Sequence, residues 1–352
     1  MSTKNFTFDG TTSGFRDKVY EALSNPVSAK DFFIKYVTIW MSRECNSKCK
    51  HCYQKGSPRG NGWTFEKADQ ITDLFLKDGY IVYPLVNEWL PHYWDFLEIK
   101  KKCGSTEITT NGIYLTKRHR DLLPLLHKNG IKTIKLTIFP KGVHEIITGR
   151  DRENVLNATR ISLDSGFRVI YNYVVMQDTL HKIPEFVDEA YNMGVNEIFF
   201  MGYFCVDIAS SMYKQVLSNH DIQQFWKYWV ELRENSRYKD IKLDHLANLG
   251  PNPYGDNVFK EVSRQKKFCL AGNWEHLSFL YIEPEGGIYP CNMLNNSKYQ
   301  IGEIYKENEK YAYKIYENHK DWEGLLVGYN RTLCGGHYET SRIRSSHSGV
   351  TP

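Results

Sequence analysis

Three cysteines, Cys45, Cys49 and Cys52, lie within eight residues of the stretch CNSKCKHC, in a chain of 352 residues with eight cysteines in all. Thiolates at spacings of four and three can wrap one compact inorganic centre from a single short loop. A structural zinc ion takes four ligands, commonly from two separated CxxC pairs. No second such pair exists here, since the others are Cys103, Cys205, Cys269, Cys291 and Cys334. His51 could be offered as a fourth zinc ligand, but its neighbour Cys52 is already one, which makes joint tetrahedral ligation awkward. Iron–sulfur clusters are also held by cysteine thiolates. Three thiolates on a four-iron cube would leave one iron open to a further ligand.

These cysteines need elements to hold them, and the punctuation of the chain predicts which. Gly79, Gly104, Gly130, Gly166 and Gly194 each close a helical-looking segment, with β-type residues soon after. Strands are expected at 33–40, 80–85, 106–110, 132–138, 167–175 and 196–203. Between the first two, Thr64 can cap a helix whose apolar face is Phe65, Ala68, Ile71, Leu74 and Phe75. Strands alternating with helices at this spacing predict an α/β fold with a parallel sheet. Six units are fewer than a closed eight-fold barrel needs. A partial (β/α)6 barrel fits, with its chemistry at the carboxyl ends of the strands. Cys45 falls just past the first strand, on that rim.

The expected organisation is an arm at 1–32, the partial barrel at 33–205, a helical bridging segment at 206–265, a C-terminal β-hairpin-plus-helix unit at 266–340 and a disordered tail at 341–352. The hairpin is read from LSFLYIEPEGGIYPC, with its turn at Pro284–Gly287. Net charge is only +4 and the one short basic run, 117–120, reads as a solvated helix start, so no nucleic-acid partner is expected. No stretch is long and apolar enough for a membrane span, and the first ten residues lack signal-peptide order. A cytoplasmic protein is expected, in a compartment where clustered thiols bind metal or do chemistry more often than they pair.

CxxxCxxC after a first strand resembles the signature of the radical SAM superfamily. The resemblance implies that Cys45, Cys49 and Cys52 hold a 4Fe–4S cluster whose open iron chelates S-adenosyl-L-methionine (SAM). Reductive cleavage of SAM then gives a 5′-deoxyadenosyl radical that takes hydrogen from a substrate. It also implies contacts to SAM. His51 would lie by the adenine, and Tyr53 follows the last ligand as in the family. Glu88, in LVNEWLP, stands for the acidic residue of a GGEP-like turn and would bind the methionine ammonium. Val86 and Asn87 replace its glycines and Trp89 its proline. Asn111 belongs to a TTNG turn, Thr137 places a hydroxyl near SAM, Arg150 or Arg152 would pair with the SAM carboxylate, and Asn172 would approach the ribose.

The C-terminal cysteines resemble the auxiliary-cluster region of family members with a SPASM or shorter twitch extension. That implies a second 4Fe–4S cluster on Cys269, Cys291 and Cys334, with His337 of LCGGH standing where a further cysteine is usual. Imidazole is a known iron ligand in Rieske centres. Cys103, at a helix end, reads as structural. Cys205, just past strand six, is a candidate hydrogen donor or substrate contact. The expected function is modification of a ribosomally made peptide by cleavage, crosslinking or epimerisation, with a separate leader-recognition protein as an expected partner. Flavodoxin or ferredoxin would supply electrons. The alternatives are a dehydrogenase or epimerase of a small molecule such as an aminoglycoside, and a zinc-stabilised binding module without catalysis.

Overall fold

The computed structural model describes residues 10–12, 14, 18, 35–54, 56–203, 207–245, 249, 279–292 and 299–316. Within them, strands β1 (Tyr36–Ser42), β2 (Ile81–Val86), β3 (Glu107–Thr110), β4 (Thr133–Thr137), β5 (Arg168–Val175) and β6 (Glu197–Gly202) match the six strands expected from the sequence. A seventh, β7 (Lys242–His245), lies in the segment read as helical, and pairs parallel to β6. The helix Asn219–Glu234 of that segment is as expected. Two more hairpin pairs follow: β8 (Phe279–Ile282) with β9 (Gly287–Tyr289), and β10 (Gly302–Glu307) with β11 (Lys310–Ile315). The helix expected in the C-terminal unit would fall outside the described residues.

One sheet runs β11-β10-β9-β8-β1-β2 and the other β3-β4-β5-β6-β7. All neighbours in the second are parallel. In the first, β1 is parallel to β2 and also to β8, so the C-terminal hairpin is laid directly against the strand that leads into the cysteine loop. A single apolar core joins both sheets to their helices, from Val37 and Ile39 through Ile108, Ile134 and Val169 to Leu280 and Ile282.

Local chemistry explains the elements. Thr64 caps the helix Phe65–Lys77 by accepting from the Lys67 N–H at 3.2 Å, and Ala68, Ile71 and Phe75 are buried. Gly79, Gly104, Gly130, Gly166 and Gly194 follow helices with φ from 67° to 80°. A Cβ at any of them would meet nothing within 4 Å, so conformation rather than crowding selects glycine there.

Between β2 and β3 no ladder forms. Parallel strands aim each residue's N–H and C=O to the same side. The carbonyl of Pro84 accepts from Lys100 Nζ at 3.0 Å, so its missing N–H faces this unpaired edge. Side chains bridge the gap instead. Tyr83 donates to the Glu107 carboxylate at 2.5 Å, and Lys135 Nζ meets the same oxygen at 2.9 Å, all three being buried. Burial alone would raise the Glu107 pKa, but the Lys135 charge and the Tyr83 bond outweigh it and hold it low. At the other end of the seam stands Glu88, described below.

Gly112, after β3, has φ 83°, and a Cβ there would lie 2.8 Å from Ala158 Cβ. Gly112→Ala is therefore expected to destabilise the fold by about 1–2 kcal/mol from backbone conformation alone, more with the contact. A denaturant titration that finds no loss would refute the strain.

Candidate active site

β1 reaches the rim with a register break between Trp40 and Ser42, an irregularity common beside functional sites. A short backbone ladder then fastens the cysteine loop at its base. Arg43 N donates to Asn61 O (2.7 Å), Cys45 N to Ser57 O (2.9 Å) and Ser57 N to Arg43 O (3.2 Å). At the tip, Cys52 N bonds Cys49 O (3.1 Å), and Lys50 N reaches Ile147 O of the helix His144–Thr148 (2.8 Å). All three loop cysteines are free thiols and partly buried. Burial first, then the Glu88 charge and the neighbouring thiols, pushes Cys45 up to about 12. Burial and the Cys52 thiol do the same to Cys49, also about 12. Such sulfurs ionise only against a strong local cation, which is what bound metal supplies. Among the described residues no three His, Cys, Asp or Glu side chains are arranged to hold a single metal ion.

One wall of the site grows from the ends of β2 and β3. Glu88 is 1 % exposed. Its Oε1 accepts from Trp89 N (2.9 Å) and Thr110 Oγ1 (2.5 Å), and its Oε2 from Asn111 N (2.7 Å). A carboxylate has about four acceptor positions, so Oε2 keeps capacity for one more donor. Asn111 turns its amide to the cysteine loop, donating to Asn46 Oδ1 (2.7 Å) and approaching Cys45 Sγ at 3.9 Å. Arg150 meets the same loop: Nε donates to Ser47 Oγ (3.3 Å) and Nη2 to Asn46 O. Arg152 does not. It is buried, with both terminal nitrogens on Glu189 (2.8 and 2.6 Å) and Nε on Phe139 O (2.8 Å), so of the two arginines expected to meet SAM it is spent on structure.

Burial lifts Glu88 to about 7, against the hydrogen bonds from Thr110, Asn111 and Trp89 that favour the charge. The folded chain thus holds a proton that the unfolded chain releases near 4.5. Its contribution to stability is present at low pH and is lost as pH rises through 7. The stability of the metal-free parent relative to Glu88→Gln is expected to fall by about 3 kcal/mol across that window, read from denaturant melts at several pH values. A flat difference would contradict it.

The floor comes from β4 and β5. Thr137, the last residue of β4, sits in register with Asn172. Asn172 is buried, and its Oδ1 has no hydrogen-bond partner. His51 sets its ring edge-on to Phe139 at 4.9 Å, and its Nδ1 is likewise buried without a partner. Burial, then the nearby His144, lowers His51 to about 4, so it is neutral.

The C-terminal hairpin closes the remaining side. Arg43 forks onto Glu285 (3.0 and 3.2 Å), meets Glu283 Oε1 at 2.7 Å and donates to Gln54 O at 2.9 Å. Trp63 Nε1 donates to Pro284 O (2.5 Å), and Tyr281 OH to Gln54 Oε1 (2.9 Å). Tyr53 extends to the hairpin: Asn292 Nδ2 donates to its hydroxyl at 3.2 Å. Its phenol, raised in pKa by burial, lies close enough to feel both Cys52 and Cys291. Cys291 is half-buried, just after β9. The expected partners Cys269, Cys334 and His337, and also Cys205, lie outside the described residues. Cys103 is buried at a helix end, as expected of a structural thiol.

Several residues here escaped the sequence reading, Arg43, Asn46, Ser47, Gln54 and Asn292 among them. Asn87 is the most telling. It stands where a glycine is usual, and its side chain accepts from Trp40 Nε1 (2.6 Å) and donates to Arg43 O (3.1 Å). Gly56 makes room, since a Cβ there would lie 2.7 Å from Asn87 Nδ2. The lost glycine is thus replaced by a side chain that pins the cysteine loop. The donor set, three crowded thiols with two orphaned buried polar atoms and an open carboxylate position nearby, fits an iron–sulfur cluster and a polar, cationic co-ligand.

The profile of the radical SAM superfamily matches residues 40–190. The antilisterial bacteriocin subtilosin biosynthesis protein AlbA of Bacillus subtilis is 22% identical over 326 residues, 86% of this chain and 67% of that protein. Among solved structures, Streptococcus suis SuiB bound to precursor peptide SuiA superposes with a TM-score of 0.59 at 16% identity, over 85% of this chain and 70% of that one. The structure of anSMEcpe with bound AdoMet gives 0.56 at 14% identity, over 90% and 93%. Both solved structures share the fold. Among the described residues, no helix is long and apolar enough to cross a membrane.

Proposed function

Residues 40–190 form a radical SAM domain, and on that premise we propose that this enzyme modifies a ribosomally made peptide. In this reading Cys45, Cys49 and Cys52 hold a 4Fe–4S cluster. When bound there, the cluster supplies the electron that cleaves SAM to a 5′-deoxyadenosyl radical. Glu88 receives the methionine ammonium at Oε2, Arg150 takes the carboxylate, Asn172 and Thr137 face the ribose, and His51 with Phe139 borders the adenine. The protein's share is placement and exclusion of water.

What supports the reading is the convergence of Glu88, Asn111, Arg150 and the cysteine loop at the ends of β1, β2 and β3. A second 4Fe–4S cluster on Cys269, Cys291, Cys334 and His337 belongs to the same proposal, with Tyr53 and Asn292 joining the two regions. The peptide substrate is inferred from AlbA, a bacteriocin biosynthesis protein, and from SuiB, seen with its precursor peptide. A leader-recognition protein and a flavodoxin or ferredoxin complete the proposed partners.

Protein purified without oxygen should be brown and carry about eight iron and eight sulfide per chain. On reduction with dithionite it should release 5′-deoxyadenosine from SAM, and a deuterated precursor peptide should pass its label to that product. Colourless protein containing zinc alone would refute the proposal.

A further inference from the structure

We propose that residues 10–12, ahead of the first strand, form a strap that sets the SAM pocket from the opposite end of the barrel, with Thr12 as its positioning residue. This rests on the function proposed above for the identity of the ligand, whereas the coupling itself belongs to the metal-free fold. The seam between β2 and β3 separates the two sheets and carries no backbone ladder. Whatever fixes these strands relative to each other also fixes Glu88, just past β2, against Thr110 and Asn111 at the end of β3.

The seam is pinned at both ends. Glu88 pins the upper one. At the lower end stands Glu107, the first residue of β3, which lies about 10 Å along the strand from Thr110. Glu107 Oε1 gathers the Tyr83 hydroxyl from β2 (2.5 Å), Lys135 Nζ from β4 (2.9 Å) and the backbone N–H of Thr12 (3.1 Å). Lys135 Nζ also donates to Thr12 Oγ1. Oε2 of the same carboxylate is buried with no hydrogen-bond partner. Three donors thus share one oxygen while the other has none, so the carboxylate is oriented by the junction of strap, β2 and β4.

The strap also grips the entry to β3 by its backbone. Thr106 N donates to Gly10 O at 2.8 Å. Gly10 has φ 84°, and a Cβ there would lie 2.4 Å from Gly104 O, so only glycine lets the strap come this close. Gly14 N then bonds Thr11 Oγ1 at 3.0 Å, which turns the chain away. β3 is laced to β4 along its whole length. A shift at its foot therefore moves the edge of the second sheet as one body and reaches Asn111, whose N–H meets Glu88 and whose amide meets the cysteine loop. Thr12 touches neither SAM nor a thiol in this reading; it acts through Glu107 and β3.

The test is Thr12→Pro in the full-length chain, because proline has neither the N–H nor the hydroxyl and the barrel residues stay untouched. Hydrogen exchange of the metal-free protein is followed by mass spectrometry. Peptides covering 86–90 and 107–113 should exchange about tenfold faster than in the parent, and those covering 168–175 and 197–202 at the parent's rate. In the reconstituted protein the KM for SAM should rise several-fold, with kcat under dithionite and the iron content unchanged. Thr12→Ser, which keeps both bonds, should match the parent, and Thr12→Val, which keeps only the N–H, should fall between. Parent-like exchange in Thr12→Pro, or faster exchange confined to 104–107, would overturn the coupling. So would faster exchange in every strand, which would make the strap a general stabiliser, and so would a loosened seam with the parent's KM. A seam that loosens as expected, in a protein whose parent leaves SAM intact under dithionite, would instead overturn the function and retain the coupling.

Discussion

Replacing Cys45, Cys49 and Cys52 together by alanine is expected to abolish SAM cleavage and to halve the iron, from about eight to about four per chain. The chain itself should survive the change. The loop is fastened at its base by the ladder of Arg43, Cys45 and Ser57 backbone bonds, and laterally by Lys50 N on Ile147 O, none of which needs a sulfur atom. Because burial keeps the Cys45 and Cys49 thiols protonated in the metal-free fold, removing them takes away no buried charge. The remaining absorbance and paramagnetism should belong to the cluster proposed on Cys291 and its partners. Iron that stays at the parent's level, or 5′-deoxyadenosine still formed on reduction, would show that the trio is not the site.

The second large effect concerns the hairpin. Arg43→Leu is expected to cost about 3–5 kcal/mol of stability, because it leaves a buried carboxylate without its cation. Side-chain exposure is 12% for Arg43 and 7% for Glu283. Burial alone would lower the Arg43 pKa, but Glu285 and Glu283 more than restore it. Glu285 is half exposed and contributes less. The double variant Arg43→Leu/Glu283→Leu should recover much of the loss, as apolar replacement of a buried ion pair often does. Because the Arg43 guanidinium also holds Gln54 O, two residues past Cys52, the single variant should lose iron faster in air as well. A change below about 1 kcal/mol would mean that the pair behaves as a solvated contact.

Much of this is legible in the sequence alone. The glycine punctuation and β-branched runs located β2 to β6 to within a residue or two at each end, and the unequal cysteine spacing marked the loop. Glu88 was readable through its position after β2 even though the flanking glycines are missing. What Asn87 does there was not, because its partners Trp40 and Arg43 are brought to it only by the β1–β2 pairing.

Long-range pairing explains the other misses. β7 is a four-residue strand, KLDH, whose identity comes from lying beside β6 and not from its own pattern. The β10–β11 hairpin turns on Asn308 and Glu309 at φ 46° and 63°, without the glycine that usually signals such a turn. That β8 would pair with β1 could not be read locally, yet it carries the hairpin to the cysteine loop. Arg150 and Arg152 look alike in sequence. Only the helix Ile183–Asn192, which presents Glu189, separates the arginine that faces the loop from the one fixed in the scaffold.

The central claim is that the trio of thiols leaves one iron open to SAM. It is tested most directly by hyperfine spectroscopy of the dithionite-reduced protein mixed with SAM carrying 15N at its amino group. Coupling of that nitrogen to the reduced cluster, lost in the triple alanine variant, is the predicted result. A reduced cluster with no coupling to the labelled nitrogen would contradict the account.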